Sequence, residues 1–92
     1  MNYLHYSVDL GPGDVVKVDL DREANVLLLD EANYQGYRSG RNYRYYGGLA
    51  KTSPIRLSPP GPGRYHVVVD LGGYPGSVKA GVTVERAAVE VG

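Results

Sequence analysis

The sequence has no cysteine, no tryptophan and no phenylalanine, and a single methionine among its 92 residues. Without cysteine, neither a disulfide framework nor a thiolate metal site can fasten the fold, so stability rests on packing, alone or with a partner. An intracellular protein needs no such fastening, which agrees with a cytoplasmic home. Long apolar runs are missing too. The longest, VLLL at residues 26–29, is far short of the ~20 residues a membrane helix needs. The opening MNYLHYSVDLG alternates apolar and polar residues, so neither a signal peptide nor a membrane partner is expected.

Catalytic signatures are equally scarce. Acyl transfer needs a nucleophile, a base and an orienting group, and the G-x-S-x-G elbow that exposes a serine does not occur. None of the glycine clusters leads into GK[ST] or opens a helix, so a phosphate cradle is not supported. DLDRE brings Asp19, Asp21 and Glu23 together but lacks the glycine and distal glutamate of an EF-hand loop, and it reads as a hairpin turn with solvated carboxylates. His5 and His66 are the only histidines, and alternation sends both to the outer face of their strands as solvated polar positions. Two ligands fall short of a usual zinc set, so no metal is expected there. The reading is therefore a protein without enzymatic activity and without a cofactor.

What is present is period-two alternation throughout, with no 3.6-residue apolar stripe, and this predicts an all-β chain. Leu4, Tyr6, Val8 and Leu10 face one way in the first strand; Val16, Val18 and Leu20 do so in the second. ANVLLLD carries apolar residues on both faces, as a central strand or one with a covered outer face would. SPIRLS, RYHVVVDL and GSVKAGVTVE alternate in turn, and a short strand around NYRYY brings the expected count to seven. Turn residues at GPG, DREAN, SPPGPG and GGYPG separate them. The expected fold is one compact antiparallel β-sandwich domain over residues 1–92, of seven or eight short strands, jelly-roll-like or Greek-key, with a small closed barrel as the nearest competitor. Its core should hold Leu4, Tyr6, Val16, Val18, Leu28, Ile55, Val67, Val69, Val78 and Val82, and no helix should exceed about two turns. Residues 86–92 shift apolar phase and read as a bulge, a short edge strand or a frayed tail. GPGDVVKVDL and GPGRYHVVVDL echo each other, which shared turn chemistry explains without duplication.

The formal net charge is zero, yet residues 32–69 carry six bases (Arg38, Arg41, Arg44, Lys51, Arg56, Arg64) and no acid. Within that stretch, NYQGYRSGRNYRYYGG at 33–48 holds five tyrosines and three arginines. Two readings of it stay open. In the first, tyrosine supplies every large aromatic plug because phenylalanine and tryptophan are absent, and the segment is mainly structural. In the second, Arg38, Arg41 and Arg44 neutralise phosphates while Tyr37, Tyr43, Tyr45 and Tyr46 stack on a ligand.

MNYLHYSVDL, NYQGYRSGRNYRYYGGLAKTSPIRL and PGRYHVVVDLGG together resemble the bacterial family known as domain of unknown function 1883, over roughly residues 1–84. The junction GGLA-x-x-SP-x-R-L is the most specific part. The resemblance implies a compact β-domain, found alone or joined to a TIR domain, and so a setting in bacterial sensing or assembly. It transfers no activity and no catalytic residues. The functional expectation is a binding or self-association module, forming a homodimer or meeting a protein partner through an edge strand. The alternative is a module for nucleic acid or another polyanion that uses segment 33–48.

Overall fold

The computed structural model describes residues 2–87. The chain runs β1 (Leu4–Leu10), β2 (Val15–Leu20), β3 (Ala24–Asp30), α1 (Glu31–Arg38), β4 (Tyr46–Ala50), β5 (Ile55–Leu57), β6 (Gly63–Asp70) and β7 (Ala80–Glu85). The strands form an antiparallel sandwich: a four-stranded sheet in the order β1-β6-β3-β4 faces a three-stranded sheet in the order β5-β2-β7. The chain changes layer at every connection except the one from β3 to β4. The two GPG turns launch strands in different sheets, β2 and β6, so their likeness is one of local turn chemistry.

Alternation sets the core. In the larger sheet Tyr6 and Leu28 both lie opposite Val67, and Leu4 and Val26 both lie opposite Val69. Val18 in the smaller sheet lies opposite Ile55 on one side and Val82 on the other. Register of this kind puts every second side chain between the layers. Val16, Val18, Val26, Leu28, Val67 and Val69 are fully buried there, and Leu4, Tyr6, Ile55, Val78 and Val82 pack around them. Each buried Val or Leu stabilises the fold by about 1.5–3 kcal/mol. Tyrosine does stand in for the missing aromatics: Tyr6 and Tyr65 lean on the core and send their hydroxyls to the rim, to Ala80 O at 3.1 Å and Gly61 O at 2.9 Å.

Two expectations are corrected. The short strand expected around NYRYY does not form; residues 31–38 are helical and the strand begins at Tyr46. Asp30 caps the helix by accepting from Asn33 N at 2.8 Å, Glu31 sits in its first turn and Arg38 in its last, each complementing the dipole. The helix also overturns the solvated placement of His66. Its outward phase is right, but α1 covers that face of the larger sheet and His66 is only 5% exposed. Leu27, Leu29, Val68 and Tyr34 form a second small core under the helix, which is why β3 is apolar on both faces. Of the stretch 86–92, expected to bulge, pair as a short edge strand or fray, only Arg86 and Ala87 are among the described residues. Arg86 Nη1 donates to Asp14 Oδ2 at 2.7 Å and Ala87 N to Asp14 Oδ1 at 2.8 Å, while the rest of the tail lies outside the described residues. Among the described residues no helix is long and apolar enough to cross a membrane.

Candidate arginine and tyrosine face

The site is built where α1 ends. Arg38 closes the last turn, and Gly40 takes φ +70°, a left-handed conformation open to glycine at little cost. Gly40 N then donates to Tyr37 O at 3.4 Å and Arg41 N to Gly36 O at 2.8 Å, the paired bonds of a Schellman motif. They turn the chain back along the helix it has just left. A second clip follows: Asn33 Oδ1 accepts from Arg44 N at 2.7 Å, while its amide nitrogen donates to the capping Asp30 at 3.0 Å. The returning loop runs so close to the helix that a Cβ on Gly36 would sit 2.5 Å from Asn42 O. Glycine at 36 is therefore a requirement of this approach.

Folding back carries Arg41, Tyr43, Arg44 and Tyr45 alongside α1. Arg41 and Arg44 border one open hollow of about 540 Å³ with Asn33, Asn42 and Tyr43. Arg38 and Arg41 border a neighbouring one of about 370 Å³ with Tyr3, Tyr37 and Tyr43. Arg44, Tyr45 and Tyr46 border a third of about 620 Å³ with Asp30 and Asn33. The three hollows share lining residues, so the arginines lie along one surface.

The tyrosines divide by depth. Tyr34 is buried and stacks on both imidazoles, 4.3 Å from His5 and 4.2 Å from His66 between ring centres. Tyr3 meets it edge-on, and then Tyr37 at 5.1 Å. Tyr37 donates its hydroxyl to the buried Asp70 at 2.7 Å, and burial together with that carboxylate pushes its ionisation far above the usual phenol range. Asp70 also accepts from Asn25 Nδ2 and Gly72 N, both at 2.9 Å. Tyr37 is thus a half-buried structural anchor that still borders a surface hollow. Tyr43 rests edge-on against it at 5.3 Å and Tyr45 leans on Tyr43 at 5.8 Å. Tyr43, Tyr45 and Tyr46 are 38%, 47% and 45% exposed.

Charge follows the same division. Arg56 pairs with Glu85 at 2.7 Å, Arg64 with Asp9 at 3.0 Å and Arg86 with Asp14 at 2.7 Å. Among the described residues, none of Arg38, Arg41, Arg44 and Lys51 has a carboxylate within 4.0 Å. Arg38 has a long contact of 3.5 Å to Gln35 Oε1 and lies 5.9 Å over the Tyr34 ring.

Beneath the helix, Glu31, His66 and His5 are hydrogen-bonded in a row. Glu31 Oε1 lies 3.2 Å from His66 Nε2, and His66 Nδ1 lies 2.7 Å from His5 Nε2. Because the carboxylate only accepts, His66 Nε2 is the donor to Glu31, and the tautomer with its proton there leaves Nδ1 to accept from His5 Nε2. Burial, the adjoining His66 and the nearby Arg38 lower the His5 ionisation. The three groups bond to one another instead of converging on a point, and among the described residues no set of three or more His, Asp or Glu is placed to hold a metal ion.

Of the residues singled out from sequence, the structure gathers Arg38, Arg41, Tyr43, Arg44, Tyr45 and Tyr46 on the surface and turns Tyr37 inward. The positioning residues Asn33 and Gly36 were not foreseen. Asp-Glu directly after an apolar strand, with Arg-Ser-Gly eight residues on, was the helix start and stop signal that frames them.

Residues 1–88 match the model of the family described as domain of unknown function, DUF1883. No curated protein and no solved structure matches the chain.

Proposed function

The chain belongs to the DUF1883 family, and from its own geometry we propose that it is a non-enzymatic binding module whose α1–β4 face takes a polyanionic partner. One observation carries this reading. Arg56, Arg64 and Arg86 each have a carboxylate partner, whereas Arg38, Arg41 and Arg44 share an open surface with no carboxylate within 4.0 Å among the described residues. Guanidinium groups with no carboxylate at salt-bridge distance among the described residues, held close by a clipped loop, are set to exchange bound counter-ions for the charges of a partner. The Glu31–His66–His5 row is assigned a structural part, because Tyr34 stacks on both imidazoles and both His66 nitrogens are engaged.

Retention on heparin across a salt gradient tests the proposal. Affinity should fall steeply with salt, with a slope reduced by about one for each arginine removed. A triple variant, Arg38→Gln, Arg41→Gln and Arg44→Gln, should lose retention while its unfolding free energy stays within about 1 kcal/mol of the parent, the most that lost dipole contact at Arg38 should cost. Equal retention of variant and parent would end the reading.

A second reading, self-association through β4, is favoured by the edge position of that strand. Among the described residues it pairs only with β3, and it carries Leu49 at 56% exposure. An unpaired edge with an exposed apolar residue is a template for a second strand. Sedimentation across a dilution series should then show a dimer that Leu49→Lys dissociates; a monomer at every concentration would exclude it.

A further inference from the structure

We infer that the partner of the arginine and tyrosine face is single-stranded nucleic acid, its phosphates on Arg41 and Arg44 and its bases on Tyr43, Tyr45 and Tyr46. The inference rests on the polyanion reading and adds what the tyrosines contribute. A partner that is merely charged has no use for aromatic rings, and water is a poor neighbour for them. Yet Tyr43, Tyr45 and Tyr46 stand 38%, 47% and 45% exposed beside the arginines, and no hydrogen bond from their hydroxyls to another described residue holds them there. Tyr45 leans on Tyr43 with ring planes 41° apart, so the two present differently directed faces. Stacking of this kind accepts any base, because every base has a π face.

A duplex fits less well. Its bases are already stacked on one another, and its two phosphate rows ask for a broad basic surface. Here Asp30 borders the same hollow as Arg44, Tyr45 and Tyr46, and Glu31 follows it at the start of the helix that ends at Arg38, so carboxylates bound the arginines on that side. The basic surface is narrow, and an unpaired strand is what it can follow. The open shape of the hollows, without an enclosed base pocket, fits sequence-tolerant binding.

Fluorescence anisotropy with four labelled probes tests this: an oligothymidylate, the same strand as a duplex, the same strand without bases, and the ribose equivalent. The single strand, as DNA and as RNA, should bind at least about tenfold more tightly than the duplex or the base-free strand, as expected where each stack contributes substantially. Tyr45→Ala and Tyr46→Ala should each weaken it about tenfold and leave the salt slope unchanged, whereas Arg41→Gln and Arg44→Gln should each lower the slope by about 0.7. Thermal melting of each variant separates lost binding from lost folding, and Tyr46→Leu, which keeps the apolar bulk, should weaken binding without altering the melt. If heparin and the base-free strand bind as tightly as the oligonucleotide, this inference fails and the polyanion reading survives. If no probe binds and heparin does not retain the protein, both fail. Tighter binding of the duplex, or of only one of the DNA and RNA strands, would also overturn it.

Discussion

Asp14 is a carboxylate buried at the foot of the sandwich, a costly position unless its charge is satisfied. It accepts from Ala87 N and Gly11 N at 2.8 Å each and from Arg86 at 2.7 Å, and these bonds hold its pKa down at about 2. Because the folded value lies below the unfolded one of about 3.9, the associated stability is full above that value and is lost as pH falls through the folded one. Urea midpoints measured between pH 5 and pH 2 should therefore drop steeply for the parent and less steeply for Asp14→Asn, which starts lower at pH 5. The histidine row acts at higher pH. The His5 ionisation is lowered, so its neutral form is favoured in the fold, and that contribution declines as pH falls below about 6.5. Thermal midpoints from pH 8 to pH 5 should show this decline, and His5→Gln should reduce it. His66 is buried beneath Tyr34, so His66→Ala should cost about 1–3 kcal/mol in denaturant unfolding, beyond the roughly 0.5 kcal/mol of a surface change.

At the scale of elements, α1 governs how the candidate face is presented. Asp30→Ala removes its N-cap and should cost about 1 kcal/mol. Gly36→Ala sets two effects against each other. Helix propensity favours alanine by about 1 kcal/mol, but the new Cβ would stand 2.5 Å from Asn42 O, and backbone cannot yield as a flexible side chain can. The clash wins, so Gly36→Ala should lower the unfolding midpoint and weaken heparin retention together, by pushing Arg41 to Tyr43 off the helix. An unchanged midpoint would mean that the loop has room this geometry denies it. Gly47 is constrained in a similar way in β4: φ is +113° and a Cβ would run into the carbonyl oxygen of Val26, so the last strand of the larger sheet depends on glycine to reach its neighbour.

For the molecule as a whole, a small sandwich without cysteine draws its stability from one apolar layer, supplemented by the patch under α1. Leu28 is fully buried between the sheets, and Leu28→Ala should cost about 2–5 kcal/mol, a large fraction of what a domain of this size possesses. Urea unfolding followed by tyrosine fluorescence would measure it. The charge layout is also a property of the whole. Strand pairing places Arg64 beside Asp9 and Arg56 within reach of Glu85, and so removes two of the six bases of the acid-free stretch from play. Arg38, Arg41, Arg44 and Lys51 remain on and near the α1–β4 connection.

Side-chain alternation determined the strands and the core from sequence alone, because in a sheet the facing of a residue is a local, period-two property. All ten residues expected in the core, from Leu4 to Val82, lie in it or against it. The tyrosine-only aromatic set likewise announced that some rings would be buried with hydroxyls at the rim. The helix was hidden because eight residues give little more than two turns, too few for a 3.6-residue stripe to stand out, and Tyr34 and Tyr37 read equally well as strand residues. Tertiary structure alone decided which outward faces meet solvent. His5 and His66 share a phase, yet only His66 disappears, since the covering element comes from elsewhere in the chain. It decided the candidate face too: the six bases were visible in sequence, but which of them keep a carboxylate partner depends on strands distant in sequence lying side by side.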